Sequence, residues 1–230
     1  MLITVISFIS SLFLITLCNP EEPMAVKTIN YLALGDSYTI GEGVDEKDRY
    51  PNQLVDRMNA IGGQLFFPAT IIAKTGWTVD ELDAGITERQ PSAKGYDLVT
   101  LLIGVNNQYR GRPVADYEKD FEAMLKRAIG FARGKNDRVI VLSIPDWGVT
   151  GFAKARNTDQ KKVGAEIDAY NAAKKAICDK YKVSFIDITE EYRVIGGQPE
   201  MMAEDRLHPS GLVYTRWTEK LIEEVKKIKF

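Results

Sequence analysis

Thr28-Ile29-Asn30-Tyr31-Leu32-Ala33-Leu34 runs directly into Gly35-Asp36-Ser37, and this stretch decides the fold class. A nearly continuous apolar run with no polar alternation is the signature of a strand buried on both faces, as in a parallel sheet. Four more runs repeat the pattern: Ala69 to Ala73, Leu98 to Ile103, Arg138 to Ile144 and Val183 to Ile188. Amphipathic stretches fall between them. Pro51 to Ile61 puts Leu54, Val55, Met58 and Ile61 on one face, and Val114 to Ala132 does the same with Tyr117, Phe121, Leu125 and Ile129. Each begins beside a proline, a helix-start signal. Thr158 to Tyr181 and Ser210 to Lys227 complete the helices, the last with Ser210 as its expected N-cap and lysines at its end. Alternation of strand and helix predicts an α/β domain with five parallel strands and about five helices.

The chain is 230 residues long, which suits one domain with its own core. Hydrophobic residues make up 45% and charged residues 27%, values of a folded globular protein that exclude a disordered chain or a bundle of membrane spans. Thirty basic side chains against thirty-two acidic ones leave a net charge of -2. With no basic run, nucleic acid is not the expected partner. The only histidine, His208, rules out a metal site built on several imidazoles, and the two cysteines, Cys18 and Cys178, form no Cys-x-x-Cys pair.

Residues Leu2 to Leu17 are apolar with interspersed Ser and Thr and carry no charge. Sixteen residues are short for a membrane span but fit the apolar region of an export signal. Leu14-Ile15-Thr16-Leu17-Cys18 also resembles a loose lipoprotein box, in which Cys18 would carry a lipid and attach the protein to a membrane. No Lys or Arg precedes Lys27, and Leu17 is larger than the usual residue before a cleavage site. The expectation is an export or lipoprotein signal over 1–18, a linker over 19–26 and one domain over 27–230. The product is then exported, periplasmic or membrane-anchored, and cytoplasmic if Met24 is the start.

Serine at the carboxyl end of a parallel strand stands where open α/β sheets place their ligands. Alone, Gly35-Asp36-Ser37 reads first as a turn or helix cap. Near the other end, Asp205-Arg206-Leu207-His208-Pro209 offers the chain's imidazole with a carboxylate three residues upstream. A nucleophilic serine needs a base, and the base needs a partner that fixes its tautomer; Ser37, His208 and Asp205 supply the three. Asn106, after the third strand in Gly104-Val105-Asn106-Asn107, brings an amide that can donate to developing negative charge. Gly76, after the second strand in Thr75-Gly76-Trp77, lets a substrate oxygen approach its N–H. Each also reads as an ordinary turn residue.

Gly35-Asp36-Ser37, Gly76, Gly104-x-Asn106 and Asp205-x-x-His208-Pro209 together, and in this order, resemble the four blocks of the GDSL or SGNH hydrolases, over about Thr28 to Phe230. The resemblance implies a flavodoxin-like three-layer α/β/α sandwich around a five-stranded parallel sheet. It implies a Ser37, His208, Asp205 triad and an oxyanion hole from the N–H groups of Ser37 and Gly76 with the Asn106 amide. It implies a small-molecule ester as substrate, with no metal or organic cofactor. The family spans lysophospholipases, thioesterases, arylesterases and carbohydrate deacetylases; the expectation is a lysophospholipase-like or small-ester carboxylesterase, with sugar O-acetyl esterase, acyltransferase and a non-catalytic exported binding protein as alternatives. Tyr38-Thr39 departs from the usual Leu or Ser-x-Ser. An α/β-hydrolase elbow is excluded because Thr39 stands where Gly-x-Ser-x-Gly needs its second glycine. Asn107, Tyr109, Arg110 and Trp147, all shortly after strand ends, are the expected substrate-binding residues, Arg110 as a partner for a substrate carboxylate or phosphate. Met201 and Met202 are candidates for an acyl-binding flap or for core filling.

Overall fold

The computed structural model describes residues 26–230; the expected signal, Cys18 and all of the linker except Val26 lie outside the described residues. The first predicted strand is two strands, β1 (Lys27–Ile29) and β2 (Tyr31–Gly35). Asn30 divides them because its backbone N–H is taken by the Asp97 carboxylate (3.0 Å) and its carbonyl accepts from the N–H groups of Asp97 and Leu98. After the short helix α1 (Ser37–Ile40) and α2 (Tyr50–Ile61), β1 finds its partner in β3 (Gln64–Phe66), forming a small parallel sheet.

The other strands are β4 (Thr70–Ala73), β5 (Leu98–Leu102), β6 (Val139–Leu142) and β7 (Ser184–Ile186). With β2 they make one five-stranded, wholly parallel sheet in the order β4-β2-β5-β6-β7. All residues of β2, β5 and β6 are buried, whereas on the edge strands Thr70 of β4 is exposed and Ile71 of β4 and Ser184 and Phe185 of β7 are half-buried. Unbroken apolar runs thus mark the central strands, covered on both faces.

The helices between β4 and β7 are α3 (Val79–Arg89), α4 (Val105–Tyr109), α5 (Val114–Phe131), α6 (Gly151–Ala155) and α7 (Gln160–Tyr181); α8 (Thr189–Ile195) and α9 (Gly211–Val225) follow β7. Helices α2 and α9 pack on each other as one layer, and α5 packs between α3 and α7 as the other. The result is the flavodoxin-like three-layer sandwich. The sequence reading missed α3, although Thr78 and Glu81 form a capping box, Glu81 Oε2 accepting the Thr78 N–H at 2.9 Å. On α2, Ile61 is exposed and off the buried face of Leu54, Val55 and Met58. Ser210 stands at the N-cap of α9, yet its hydroxyl is buried without a partner, and the helix ends at Val225, before the lysines.

In this strand order the chain reverses direction of travel across the sheet between β2 and β5. A doubly wound sheet has its crevice there, beyond the carboxyl ends of the two strands. Ser37 follows β2 and Asn106 follows β5.

Candidate active site

Gly35 ends β2 and must be glycine for a steric reason. A Cβ there would stand 2.1 Å from Thr39 Oγ1 and 2.2 Å from the Leu102 carbonyl, because α1 folds back against the ends of β2 and β5. Asp36 caps that turn, its Oδ1 accepting the Tyr38 N–H at 3.0 Å. Ser37 opens α1 and is 4% exposed. Its N–H, at the first position of a helix, has no intrahelical acceptor, and among the described residues neither it nor the Ser37 hydroxyl makes a hydrogen bond.

His208 is held by a turn that the Asp205 carboxylate organises. Asp205 Oδ1 accepts the N–H groups of Leu207 and His208, both at 2.9 Å, while Oδ2 meets His208 Nδ1 at 2.5 Å. Arg206, at φ 61°, supplies the left-handed residue that the turn requires. The turn is closed by Ala203 N–H to the His208 carbonyl (2.8 Å) and Ser210 N–H to the Met201 carbonyl (3.0 Å). Partial burial pushes the Asp205 carboxyl up, but hydrogen bonds from the His208 ring and from the two backbone N–H groups outweigh it and hold the pKa below the usual carboxylate value. A carboxylate at Nδ1 assigns the ring proton to that nitrogen and leaves Nε2 as an acceptor. The Tyr38 ring stands edge-on to the imidazole, 5.8 Å between centroids, and edge-on to Trp217 at 6.2 Å. The departure from the family pattern at position 38 therefore packs directly against the histidine.

Ser37, Asn106 and His208 line one cavity of about 170 Å³, with Tyr38, Val105, Tyr109, Trp147, Phe152 and Leu207 as its walls. Asn106 Nδ2 donates to the Trp77 carbonyl at 2.9 Å, which fixes the amide plane. Gly76 sits in that same turn at φ 86°, outside the cavity lining, its N–H free of acceptors among the described residues. Tyr109 and Trp147 line the cleft, their rings 5.3 Å apart and edge-on. Trp147 is further fixed by its indole N–H to Gln108 Oε1 (2.8 Å), and Gln108 in turn donates to Glu166 (2.7 Å).

Asn107 and Arg110 are not in the cleft, which corrects the sequence expectation. Asn107 is fully buried and its Oδ1 accepts the Val79 N–H at 3.1 Å, satisfying a free donor at the start of α3. Arg110 spends its guanidinium on Glu81 (3.0 Å) and on the Gly76 carbonyl (2.7 Å). Asn107 misses because, one residue after Asn106 on α4, it lies about 100° round the helix and faces α3; Arg110, the cap just past the end of α4, is drawn instead to Glu81 and the Gly76 carbonyl. Met202 also lies elsewhere, its sulfur accepting the Gly151 N–H and lining a separate cavity with Lys154 and Arg206. Phe152, Val105 and Leu207 are cleft residues the sequence reading did not find; Phe152 rides on α6, a helix too short to show periodicity. Cys178 is buried, and burial pushes its thiol up to about 12, so it is inert at neutral pH. Among the described residues no cluster of His, Cys, Asp and Glu could hold a metal ion, and no helix is long and apolar enough to cross a membrane.

Residues 33–216 match the model of the GDSL-like lipase/acylhydrolase family. No curated protein matches the sequence. Among solved structures the chain is similar to TesA, at 20% identity and TM-score 0.67 over 87% of this chain and 99% of that one. It is also similar to a lipase/acylhydrolase from Enterococcus faecalis, at 18% and 0.68 over 88% and 96%. A third is Axe2, an acetylxylan esterase from Geobacillus stearothermophilus, at 19% and 0.67 over 87% and 95%. At these identities the likeness is one of fold.

Proposed function

The chain belongs to the GDSL-like lipase/acylhydrolase family and is an ester-hydrolysing enzyme, and from that premise we propose that it cleaves short-acyl carboxylic esters through Ser37, His208 and Asp205. Ser37 Oγ attacks the ester carbonyl carbon while His208 Nε2 takes its proton, and Asp205 stabilises the imidazolium formed. Negative charge developing on the carbonyl oxygen is received by the N–H groups of Ser37 and Gly76 and by the second amide hydrogen of Asn106, the first being held by Trp77. The imidazolium then protonates the leaving alcohol as the carbon–oxygen bond breaks. Water, deprotonated by His208, attacks the acyl-enzyme and releases the acid.

The observation that carries this reading is convergence. A serine after β2, an amide after β5 and a carboxylate-bonded imidazole before α9 border one cavity. Its size supports the short acyl group: 170 Å³ is well below the roughly 300–1,000 Å³ of sites for drug-sized ligands, and its walls are mostly aromatic and aliphatic. A carbohydrate alcohol is the second element of the reading. Tyr109, 55% exposed at the rim, presents an aromatic face on which a sugar ring can stack, and the similar Axe2 is described as an acetylxylan esterase.

The test is a series of p-nitrophenyl esters from acetyl to palmitoyl, with Ser37→Ala in parallel. The optimum is expected at acetyl to butyryl, and Ser37→Ala should lose about four to six orders of magnitude in kcat. An optimum at long chains removes the short-acyl assignment. Wild-type turnover by Ser37→Ala removes the serine mechanism.

A further inference from the structure

Gly76 lies at φ 86°, where only glycine is unstrained, and a Cβ built on it would meet nothing within 4 Å. The turn is closed by the Trp77 N–H donating to the Lys74 carbonyl at 3.2 Å, and side-chain ties hold it on both sides. Thr75 Oγ1 donates to the Glu42 carboxylate on one side. On the other, the Trp77 carbonyl accepts from Asn106 Nδ2 at 2.9 Å, and the Gly76 carbonyl accepts from Arg110 Nη2 at 2.7 Å.

The geometry points to Arg110 as a positioning residue for the reaction, a clamp that aims the Gly76 N–H at the oxyanion by holding the carbonyl of the same residue. This rests on the reading of Gly76 as an oxyanion donor. Arg110 is itself held, since its Nη1 donates to Glu81 Oε1 at 3.0 Å, and Glu81 is fixed by accepting the Thr78 N–H through its other oxygen. The Arg110 guanidinium, by its direct hydrogen bond, draws the Glu81 carboxyl below its ordinary pKa. A planar, forked cation suits the task because one guanidinium satisfies a carboxylate and a carbonyl together. Asn106 on α4 and Arg110 at its C-terminal cap, four residues on, thus grip consecutive carbonyls of the turn.

The experiment measures steady-state kinetics of the full chain on neutral p-nitrophenyl acetate and on an ester bearing a carboxylate in its acyl group. Arg110→Ala is expected to lower kcat about ten- to a hundredfold on both, with KM changed less than about twofold, because a misaimed donor is lost chiefly in the transition state. Methylguanidinium in solution should restore part of that kcat, and Arg110→Lys should retain more activity than Arg110→Ala. Affinity for a boronic acid inhibitor should fall by the same factor as kcat/KM. Glu81→Gln, which loosens the anchor without touching the turn, should cost a smaller factor while the protein remains folded by circular dichroism. Unchanged kcat in Arg110→Ala, or a loss confined to KM for the anionic ester, overturns the clamp and leaves the triad intact. Activity in Ser37→Ala instead overturns the underlying mechanism, so the two failures are distinguishable.

Discussion

Asp36, between the glycine and the serine of the first motif, is fully buried, with one carboxylate oxygen on the Tyr38 N–H and the other without a partner. Burial raises its pKa from 3.8 to about 7, against the pull of the Tyr38 N–H and of the positive charge on Lys174. Lys174 is equally buried, donates to the Leu142 carbonyl at 3.0 Å, and is pushed down by the same burial. The sign of the effect on stability follows from where the proton sits. Between pH 4 and 7 the folded state holds the Asp36 proton and the unfolded state does not, so this group lowers stability as pH rises through that window. Asp36→Asn keeps the capping oxygen and removes the titration. Stabilities from denaturant unfolding at pH 5 and pH 8 should therefore show the variant gaining on the parent at the higher pH, by about 2.5–3 kcal/mol, roughly 1.4 per pH unit over the span from pH 5 to the folded-state pKa of about 7. Parallel pH dependence in the two proteins would mean that Asp36 is already ionised at pH 5.

At the level of elements, the start of α1 is built by exclusion. Its return against β2 and β5 leaves Thr39 Oγ1 3.4 Å from the Leu34 carbonyl and 3.3 Å from the Tyr50 hydroxyl, with no room for a side chain at Gly35. Gly35→Ala should destabilise by at least about 2 kcal/mol, since the clash is with backbone and with a buried hydroxyl that cannot yield; a thermal midpoint within a degree of the parent would contradict the packing. Such close fits explain what was legible in the sequence. The strands were visible because burial on both faces demands unbroken apolar runs, and the Asp205 to His208 spacing was visible because a single turn spans it. The division at Asn30 was not, since it depends on Asp97, far along the chain. Helix α3 was overlooked although Thr78 and Glu81 signalled its start, and the four-residue α1 and five-residue α4 are too short for periodicity to reveal. The phase of α4 turns Asn107 away from the cleft, and the pull of Glu81 and the Gly76 carbonyl, remote in sequence, takes Arg110.

Across the whole molecule, the cleft lies where the strand order reverses between β2 and β5, beyond the carboxyl ends of those strands. Its walls come from segments remote in sequence: Ser37 and Tyr38, the α4 face with Val105 and Tyr109, Trp147 and Phe152 after β6, and Leu207 with His208 before α9. Trp147 and Phe152 follow β6, a strand that supplies none of Ser37, Asn106 and His208, so on the proposed reading acyl length can change there without disturbing the chemistry. Trp147 is the largest side chain in that wall; it is 6% exposed and tied through Gln108 to Glu166. Trp147→Ala opens the cavity but removes a large buried ring and leaves the Gln108 carbonyl oxygen unpaired, so stability should fall by about 3–5 kcal/mol. In the protein that remains folded at low temperature, kcat/KM for hexanoyl relative to acetyl esters should rise at least about tenfold, the scale of one or two methylenes newly admitted to an apolar pocket. Trp147→Phe, which keeps much of the ring, should move the ratio less. If the ratio is unchanged in Trp147→Ala, the acyl chain leaves the site along another wall, and Phe152 becomes the side chain that sets its length.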